Sequence, residues 1–226
     1  MNLPEDVFID NNNNIYVPDN YYSIQKWLPN ATNPIIVAGE SSGSGMNQLK
    51  NPIAVFVRNN NIYIVDNGNF RIQKWSEEGI VVAGGNGEGN GSNQLRFPLG
   101  IYLDKDANIY IADYYNNRIQ MYMSGAKHGI TVAGGNGAGS NLNQLSLPRA
   151  VSVDNEKNVY ILDTFNHRVQ KWKLGASSGM KIIGGDGPGR SPNELNMPFG
   201  MRFDSYGNIY VADTYNYRIQ KFSCRD

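Results

Sequence analysis

The sequence predicts an all-β protein built from five copies of one antiparallel unit. Near-identical segments recur along the chain, beginning at Ile62, Ile109, Val159 and Ile209, with a weaker copy at Ile15. Short β-branched and aromatic runs alternate with polar turns, and 25 glycines and 10 prolines would interrupt any helix. Because a unit of this size cannot bury a hydrophobic face alone, the copies are expected to stack on one another.

Two independent markers give the length of the repeat. The aspartates that end the second apolar run and the prolines that open each unit both recur every 46 to 50 residues. This period fits either one four-stranded β-propeller blade or one long helical repeat. No segment carries an apolar helical stripe over three turns, which favours strands. The markers are Asp19, Asp66, Asp113, Asp163 and Asp213, and Pro4, Pro52, Pro98, Pro148 and Pro198.

The third unit shows the predicted strands most plainly. Residues 100–104 and 108–113 form two apolar runs joined by a short polar turn, which is typical of a β-hairpin. Residues 117–122 and 130–133 supply a third and a fourth run. Both faces of these runs are apolar or aromatic, as expected for a sheet that is covered on both sides. Each unit is therefore predicted to be a four-stranded meander.

The repeated pattern P-x-G-I-x-x-D, followed by N-I-Y-I-A-D-x-x-N-x-R-I-Q, resembles the NHL repeat, a β-propeller blade motif. The resemblance covers essentially the whole chain and implies a single propeller domain over residues 1–226. The last unit ends after its third strand, so it is predicted to lack the outer strand. Because NHL propellers commonly have six blades, the five repeats are expected to form either part of a six-bladed ring or an open arc. The predicted blades are 3–39, 51–84, 97–134, 147–184 and 197–226.

The alternating strand directions place two elaborate loops on one face, called here the loop face: the D-x-x-N-x-R loop between the second and third strands, and the glycine-rich crossover to the next unit. The repeated Asp and Arg are predicted to be structural, with Asp accepting turn N–H groups and Arg bridging to a neighbouring blade. No helix follows the glycine runs, which argues against a phosphate loop. The structural residues are Asp66, Arg71, Asp113, Arg118, Asp163, Arg168, Asp213 and Arg218.

The variable positions of the loop face are rich in aromatic residues. Tyr with nearby Arg is the composition of interface hot spots, so these positions are predicted to contact a partner. The alternative is that the first aromatic residue of each loop packs between blades. The predicted contacts are Tyr22, Phe70, Tyr115, Phe165, His167, Tyr215 and Tyr217. Near the opening prolines, three charged residues break the apolar pattern and are predicted at the mouth of the propeller channel: Glu5, Arg149 and Arg202.

No catalytic, cofactor-binding or metal-binding set is predicted. Amidating lyases with NHL repeats hold a metal with several histidines, whereas this chain has only His128 and His167, in different kinds of loop. We therefore expect a non-catalytic scaffold that binds a protein or peptide. The alternatives are single-stranded RNA binding by the same face and a metal-dependent enzyme of the lyase or lactonase type. Because the chain has one cysteine, it contains no RING domain, and a ubiquitin-ligase role would come only through other domains or partners.

Charge and hydropathy limit the expected partners. Lys and Arg together number 20, equal to Asp and Glu, so no overall field favours DNA or an anionic membrane. The first ten residues contain no apolar signal-peptide core, and no stretch approaches 18 apolar residues. An intracellular location is expected if Met1 is the true start.

Overall fold

The protein is described by a computed structural model covering residues 5–19 and 21–223. Within these residues the structure is all-β, with four sheets of four antiparallel strands and a fifth sheet of three, which confirms the predicted fold class. The outer limits of the first and last predicted blades, residues 3 and 226, lie outside the described residues. No helix in the described part of the chain is long and apolar enough to cross a membrane.

Each sheet is a meander whose strands pair in the order in which they follow one another. A short parallel pair, β5 and β6, lies in the first crossover. The strands are β1 (Phe8–Ile9), β2 (Ile15–Asp19), β3 (Ser23–Trp27), β4 (Ile35–Ala38), β5 (Ser41–Ser42), β6 (Gln48–Leu49), β7 (Pro52–Arg58), β8 (Asn61–Asp66), β9 (Arg71–Trp75), β10 (Gly79–Gly84), β11 (Pro98–Leu103), β12 (Ile109–Asp113), β13 (Arg118–Tyr122), β14 (Ile130–Gly134), β15 (Pro148–Val153), β16 (Val159–Asp163), β17 (Arg168–Trp172), β18 (Met180–Gly184), β19 (Gly200–Phe203), β20 (Ile209–Asp213) and β21 (Arg218–Phe222).

The D-x-x-N-x-R loops contain a feature that the sequence analysis did not predict. In four of them the three residues after the aspartate form a single 3-10 turn, and the next residue adopts the left-handed conformation with φ between 51° and 56°. A left-handed residue reverses the chain tightly enough to start the third strand directly afterwards. The left-handed residues are Phe70, Asn117, His167 and Tyr217.

The chain forms two compact units, Met1–Ile101 with Gly125–Gly129, and Tyr102–Ser124 with Ile130–Asp226; their boundary falls within β11. In the first unit, Tyr16 and Ile24 of the first sheet pack with Val55 of the second. In the second unit the same repeat positions recur. Tyr110 and Ile119 pack with Val151 and Ile161, and Tyr160 and Val169 pack with Met201 and Val211. The second, fourth and fifth sheets therefore each use one apolar face to cover the sheet that precedes them in the same unit.

Candidate functional site

The Asp–Arg pair of the fourth sheet ties its loop to the preceding crossover. Asp163 Oδ2 accepts hydrogen bonds from Arg168 Nε and from Asn166 Nδ2, each at 2.8 Å. Asp163 Oδ1 accepts the backbone N–H of Ser146 at 2.7 Å. The two Nη atoms of Arg168 donate to three crossover carbonyls, those of Ser140, Asn141 and Gln144.

The same arrangement recurs in other sheets. Asp66 accepts the N–H of Lys50 and Asp213 that of Asn196, each at 2.7 Å. Arg71 and Arg218 each donate to three carbonyls of the crossover before them. The N–H groups that the aspartates accept therefore come from the crossover, rather than from the turn as predicted, because the meander brings both loops to one face.

The pKa values of Asp163 and Asp213 shift in opposite directions. Burial raises the pKa of Asp163, against the opposing hydrogen bonds from Asn166, Ser146 and Arg168. Burial is also the largest single influence on Asp213 and raises its pKa, but hydrogen bonds from Asn196, Asn216 and Arg218 together outweigh it and the net shift is downward. The side chain of Arg218 is 31% exposed, compared with 7% for Arg168. The Asp213–Arg218 pair is thus less enclosed than the Asp163–Arg168 pair.

The glycine-rich crossovers enclose a side chain of their own. Gly45 N–H donates to Gln48 Oε1 at 3.0 Å, and Ser191 N–H donates to Glu194 Oε2 at 2.9 Å, which lowers the pKa of Glu194. A Cβ added at Gly89 would collide with the amide of Gln94. These crossover N–H groups therefore already donate to side-chain oxygens of the chain itself.

The aspartate-rich hairpins on the opposite rim are likewise filled by the chain. Asp104 Oδ1 accepts the N–H groups of Asp106 and Asn108 at 3.0 and 2.9 Å, and its Oδ2 accepts Asn108 Nδ2 at 2.8 Å. Asp154 and Asp204 repeat the same bonds. These carboxylates stabilise a turn, as expected for an Asx-type hairpin.

The first position after each loop aspartate is structural in the second and fourth sheets. Asn67 Nδ2 donates to the carbonyl of Pro98 at 2.8 Å, and Thr164 Oγ1 donates to that of Pro198 at 2.9 Å. Both side chains are buried. Tyr114, at this position in the third sheet, is half-buried, and burial raises the pKa of its hydroxyl. Asn67 and Thr164 therefore join their loops to the opening proline of the next sheet.

The second position is different, because its backbone is fixed while its side chain faces solvent. The N–H of Phe165 donates to Ser146 O, and that of Tyr215 donates to Asn196 O, each at 3.1 Å. The exposed fractions of the three side chains at this position are 48% for Tyr115, 56% for Phe165 and 55% for Tyr215. We call these three residues the loop-face aromatics. Such residues lose little backbone entropy when a partner binds.

The remaining predicted contacts lie in several environments. Tyr22 and Tyr217 are exposed, whereas Phe70 and His167 are half-buried. His167 Nδ1 accepts the backbone N–H of Met197 at 3.0 Å, so this ring also supports the loop. Its pKa is lowered by burial, which the nearby carboxylates of Asp163 and Asp213 oppose.

Arg149 lies among aromatic rings in the second unit. Its Cζ atom is 4.0 Å from the centroid of the Phe199 ring, which is a cation–π distance. The Phe199 and Tyr215 rings are 6.2 Å apart, and the Tyr114 and Tyr115 rings are 5.0 Å apart. Arg149 also acts electrostatically on the Tyr114 hydroxyl and opposes the rise in its pKa. We call these five residues the Arg149 cluster.

Phe199 was missed by the sequence analysis. It follows an opening proline, where Ile53 and Leu99 are apolar and buried, so the repeat pattern hid it. Phe199 is exposed instead, and Arg149 lies over its ring. The sequence signal that could have identified Phe199 was the aromatic residue at a repeat position where the second and third units have Ile53 and Leu99.

The other two predicted channel-mouth residues fall elsewhere. Glu5 is exposed and belongs to the first unit. Arg202 stands four residues after Pro198, a different repeat position from Arg149, and pairs across the sheet with Tyr210. The structure therefore assigns only Arg149 to the aromatic cluster.

Both histidines contact the protein itself. His128 Nδ1 lies 3.0 Å from Ser92 Oγ, and His167 accepts the Met197 N–H. Residues 5–19 and 21–223 contain no group of three or more His, Cys, Asp or Glu side chains placed to hold a metal ion.

The comparisons with known proteins agree with the repeat pattern. The family model described as NHL repeat matches residues 95–122 and 195–222. No curated protein matches the chain.

Several solved structures share the fold. Streptogramin B lyase is 11% identical with a TM-score of 0.66, covering 99% of this chain and 69% of its own. A nidogen/laminin complex is 17% identical with a TM-score of 0.67, covering 92% and 71%. An auxiliary nutrient binding protein from Bacteroides ovatus is 15% identical with a TM-score of 0.73, covering 100% and 60%. At these identities the likeness shows the fold alone.

Proposed function

Because this chain is an NHL-repeat β-propeller, we propose that it is a non-catalytic scaffold that binds a protein or peptide partner through its loop face. The observation that carries this proposal is the combination of the loop-face aromatics with the Arg149 cluster. Tyr115 and Tyr215 belong to both sets. Aromatic and arginine side chains are the residue types that contribute most to protein interfaces.

The rigidity of the loop supports this function. The Tyr215 N–H donates to the Asn196 carbonyl. Asp213 accepts the N–H of Asn196, and Arg218 donates to three carbonyls of the same crossover. A partner would therefore meet aromatic rings on a backbone that is already ordered, and binding would cost little further conformational entropy.

The named neighbours include both binding proteins and a lyase. The nidogen/laminin complex and the nutrient binding protein are consistent with a binding role on this scaffold.

The experiment uses peptides selected from a random displayed library on the immobilised 226-residue chain. Selected peptides are titrated against the wild type and the double variant Tyr115→Ser/Tyr215→Ser. If each tyrosine anchor contributes about 2 kcal/mol, the double variant loses about 4 kcal/mol and affinity falls roughly 1,000-fold, or roughly 30-fold where a selected peptide uses only one anchor. The matched control is Tyr206→Ser, because Tyr206 is 87% exposed on a hairpin of the opposite rim.

Unchanged affinity in the double variant, or an equal loss in Tyr206→Ser, would contradict the proposal. A loss of affinity together with a lower melting temperature would show instead that the tyrosines support the fold. A mixed-sequence RNA oligonucleotide that binds through the same tyrosines, with affinity falling steeply as salt rises, would support the RNA alternative.

A further inference from the structure

The hairpin of the second sheet breaks the repeat on the rim opposite the loop face. The other four sheets carry a five-residue hairpin that begins with Asp and ends with Asn, as at residues 104–108. The second sheet has one residue fewer: Arg58 pairs with Asn61, and only Asn59 and Asn60 lie between them. Both are left-handed, with φ of 49° and 62°, as a two-residue type I′ turn requires.

A cavity of about 470 Å³ lies between the first and second sheets, lined by residues 8–12 and 56–60, and we call it the hairpin cavity. At the same repeat positions between the third and fourth sheets the cavity is about 20 Å³. There Lys157 Nζ bonds Asp106 Oδ2 at 2.7 Å and joins the two hairpins. The hairpin cavity has no such bridge, because Asn12 replaces the aspartate and the second hairpin contains no lysine.

Aromatic rings and side-chain amides line the hairpin cavity. Phe8 of β1 and Phe56 of β7 contribute the rings, whose centroids are 5.0 Å apart. Four asparagines of the two hairpins contribute the amides, and all four residues are exposed. An amide presents both donors and an acceptor, so it can bond a hydroxyl in either direction. The asparagines are Asn11, Asn12, Asn59 and Asn60.

The charged residues of the hairpin cavity do not suit an ion. Asp10 and Arg58 carry opposite charges, so the lining has no net charge. Both carboxylate oxygens of Asp10 are already used within the first sheet. Its Oδ1 accepts the N–H groups of Asn12 and Asn14, and its Oδ2 accepts the Asn14 amide and the Tyr16 hydroxyl. The site therefore favours a neutral ligand.

We propose that the hairpin cavity binds a neutral sugar. The C–H groups on one face of a pyranose ring pack well against the electron-rich face of an aromatic ring. The hydroxyls around the sugar both donate and accept, which matches the amides. The cavity volume lies within the range of about 300 to 1,000 Å³ that is typical of small-molecule sites. A planar nucleobase fits less well, because the Phe8 and Phe56 rings are inclined at 51° and form no parallel slot.

The test titrates five neutral disaccharides singly into the 226-residue chain: maltose, cellobiose, lactose, mannobiose and diacetylchitobiose. Saturation-transfer NMR and calorimetry should show saturable binding of at least one of them. The variant Asn12→Ala/Asn60→Gly should weaken that binding about tenfold or more, the effect of losing two ordinary hydrogen bonds. Glycine preserves the left-handed backbone at position 60. Asn155→Ala is the matched control and should bind normally, because Asn155 is exposed on the equivalent hairpin of the fourth sheet.

A second variant closes the hairpin cavity instead of removing its amides. Residues 58–61 are replaced by the sequence of residues 154–158, and Asn12→Asp supplies a carboxylate opposite the new lysine. Sugar binding should be lost, while the melting temperature should stay the same or rise because the new pair joins the two hairpins.

Binding of none of the disaccharides, or unchanged binding in either cavity variant, would overturn the proposal. Saturable binding of uridine or adenosine in place of every disaccharide would also overturn it. The double variant Tyr115→Ser/Tyr215→Ser should bind the sugar normally, which keeps the test independent of the loop face. A loss of sugar binding in that double variant would assign the binding to the loop face and contradict the proposal.

Discussion

His167 accepts the backbone N–H of Met197 through Nδ1, at 3.0 Å. One sheet earlier, Asn117 Oδ1 accepts the N–H of Leu147 at 2.9 Å from the same repeat position. Both acceptors are left-handed residues, and each bonds to the residue before an opening proline. An imidazole and an amide therefore serve the same structural purpose, but only the imidazole titrates.

The first prediction concerns pH. Because burial lowers the pKa of His167, protonation favours the unfolded chain. Its contribution to stability is complete above the unfolded pKa of about 6.5 and is lost as pH falls below that value. His167→Asn should keep the hydrogen bond and remove this pH dependence when the free energies of urea unfolding at pH 8 and pH 5 are compared. His128→Gln is the control and should retain the dependence; a wild type with flat stability over this range would contradict the prediction.

The second prediction concerns the Asp–Arg pairs. Arg168→Ala would leave Asp163 buried without its cation and should lower the free energy of unfolding by about 3 to 5 kcal/mol. Arg218→Ala should cost less, because its side chain is more exposed. Urea denaturation of both variants gives the comparison. Equal losses would show that enclosure by neighbouring residues does not set the strength of the pair.

The third prediction separates backbone strain from steric collision at two glycines, Gly134 at the end of β14 and Gly137 in the crossover that follows it. Gly137→Ala should cost about 1 to 2 kcal/mol, because φ is +79° but nothing lies near the added methyl group. Gly134→Ala should cost roughly 1 to 3 kcal/mol more, because its Cβ would meet the Asn117 carbonyl. Thermal unfolding checks the order of the two variants, and the reverse order would contradict the geometry of the crossover.

The fourth prediction tests the Arg149 cluster without a partner. Arg149 lowers the pKa of Tyr114 against the rise caused by burial. Arg149→Met keeps much of the side-chain length and removes the charge, so the pKa of Tyr114 should rise further above 10. Ultraviolet titration of tyrosine ionisation, with Tyr114→Phe to assign the signal, measures the shift. An unchanged titration would mean that Arg149 does not act on this hydroxyl.

The sequence predicted the sheets because their signal is local. Repeated runs such as Ile109–Asp113 carry both the strand propensity and the period, and counting the runs predicted the three strands that the described residues form in the fifth sheet. The contacts of the loop face could not be predicted as readily from the sequence, because they join residues that are far apart in the chain. The hydrogen bond between Asp163 and Ser146 joins residues that are 17 positions apart. Arg149 and Phe199 each follow an opening proline, but the repeat pattern does not show that the two side chains lie against each other.

Hydrogen exchange of the wild-type chain, with and without a peptide selected on it, tests most directly whether the loop face is the binding surface. The predicted result is protection of residues 114–117, 164–167 and 214–217, with no change in the opposite hairpin at 204–208. Protection confined to that hairpin or to β21, with the loop face unchanged, would contradict the proposed function.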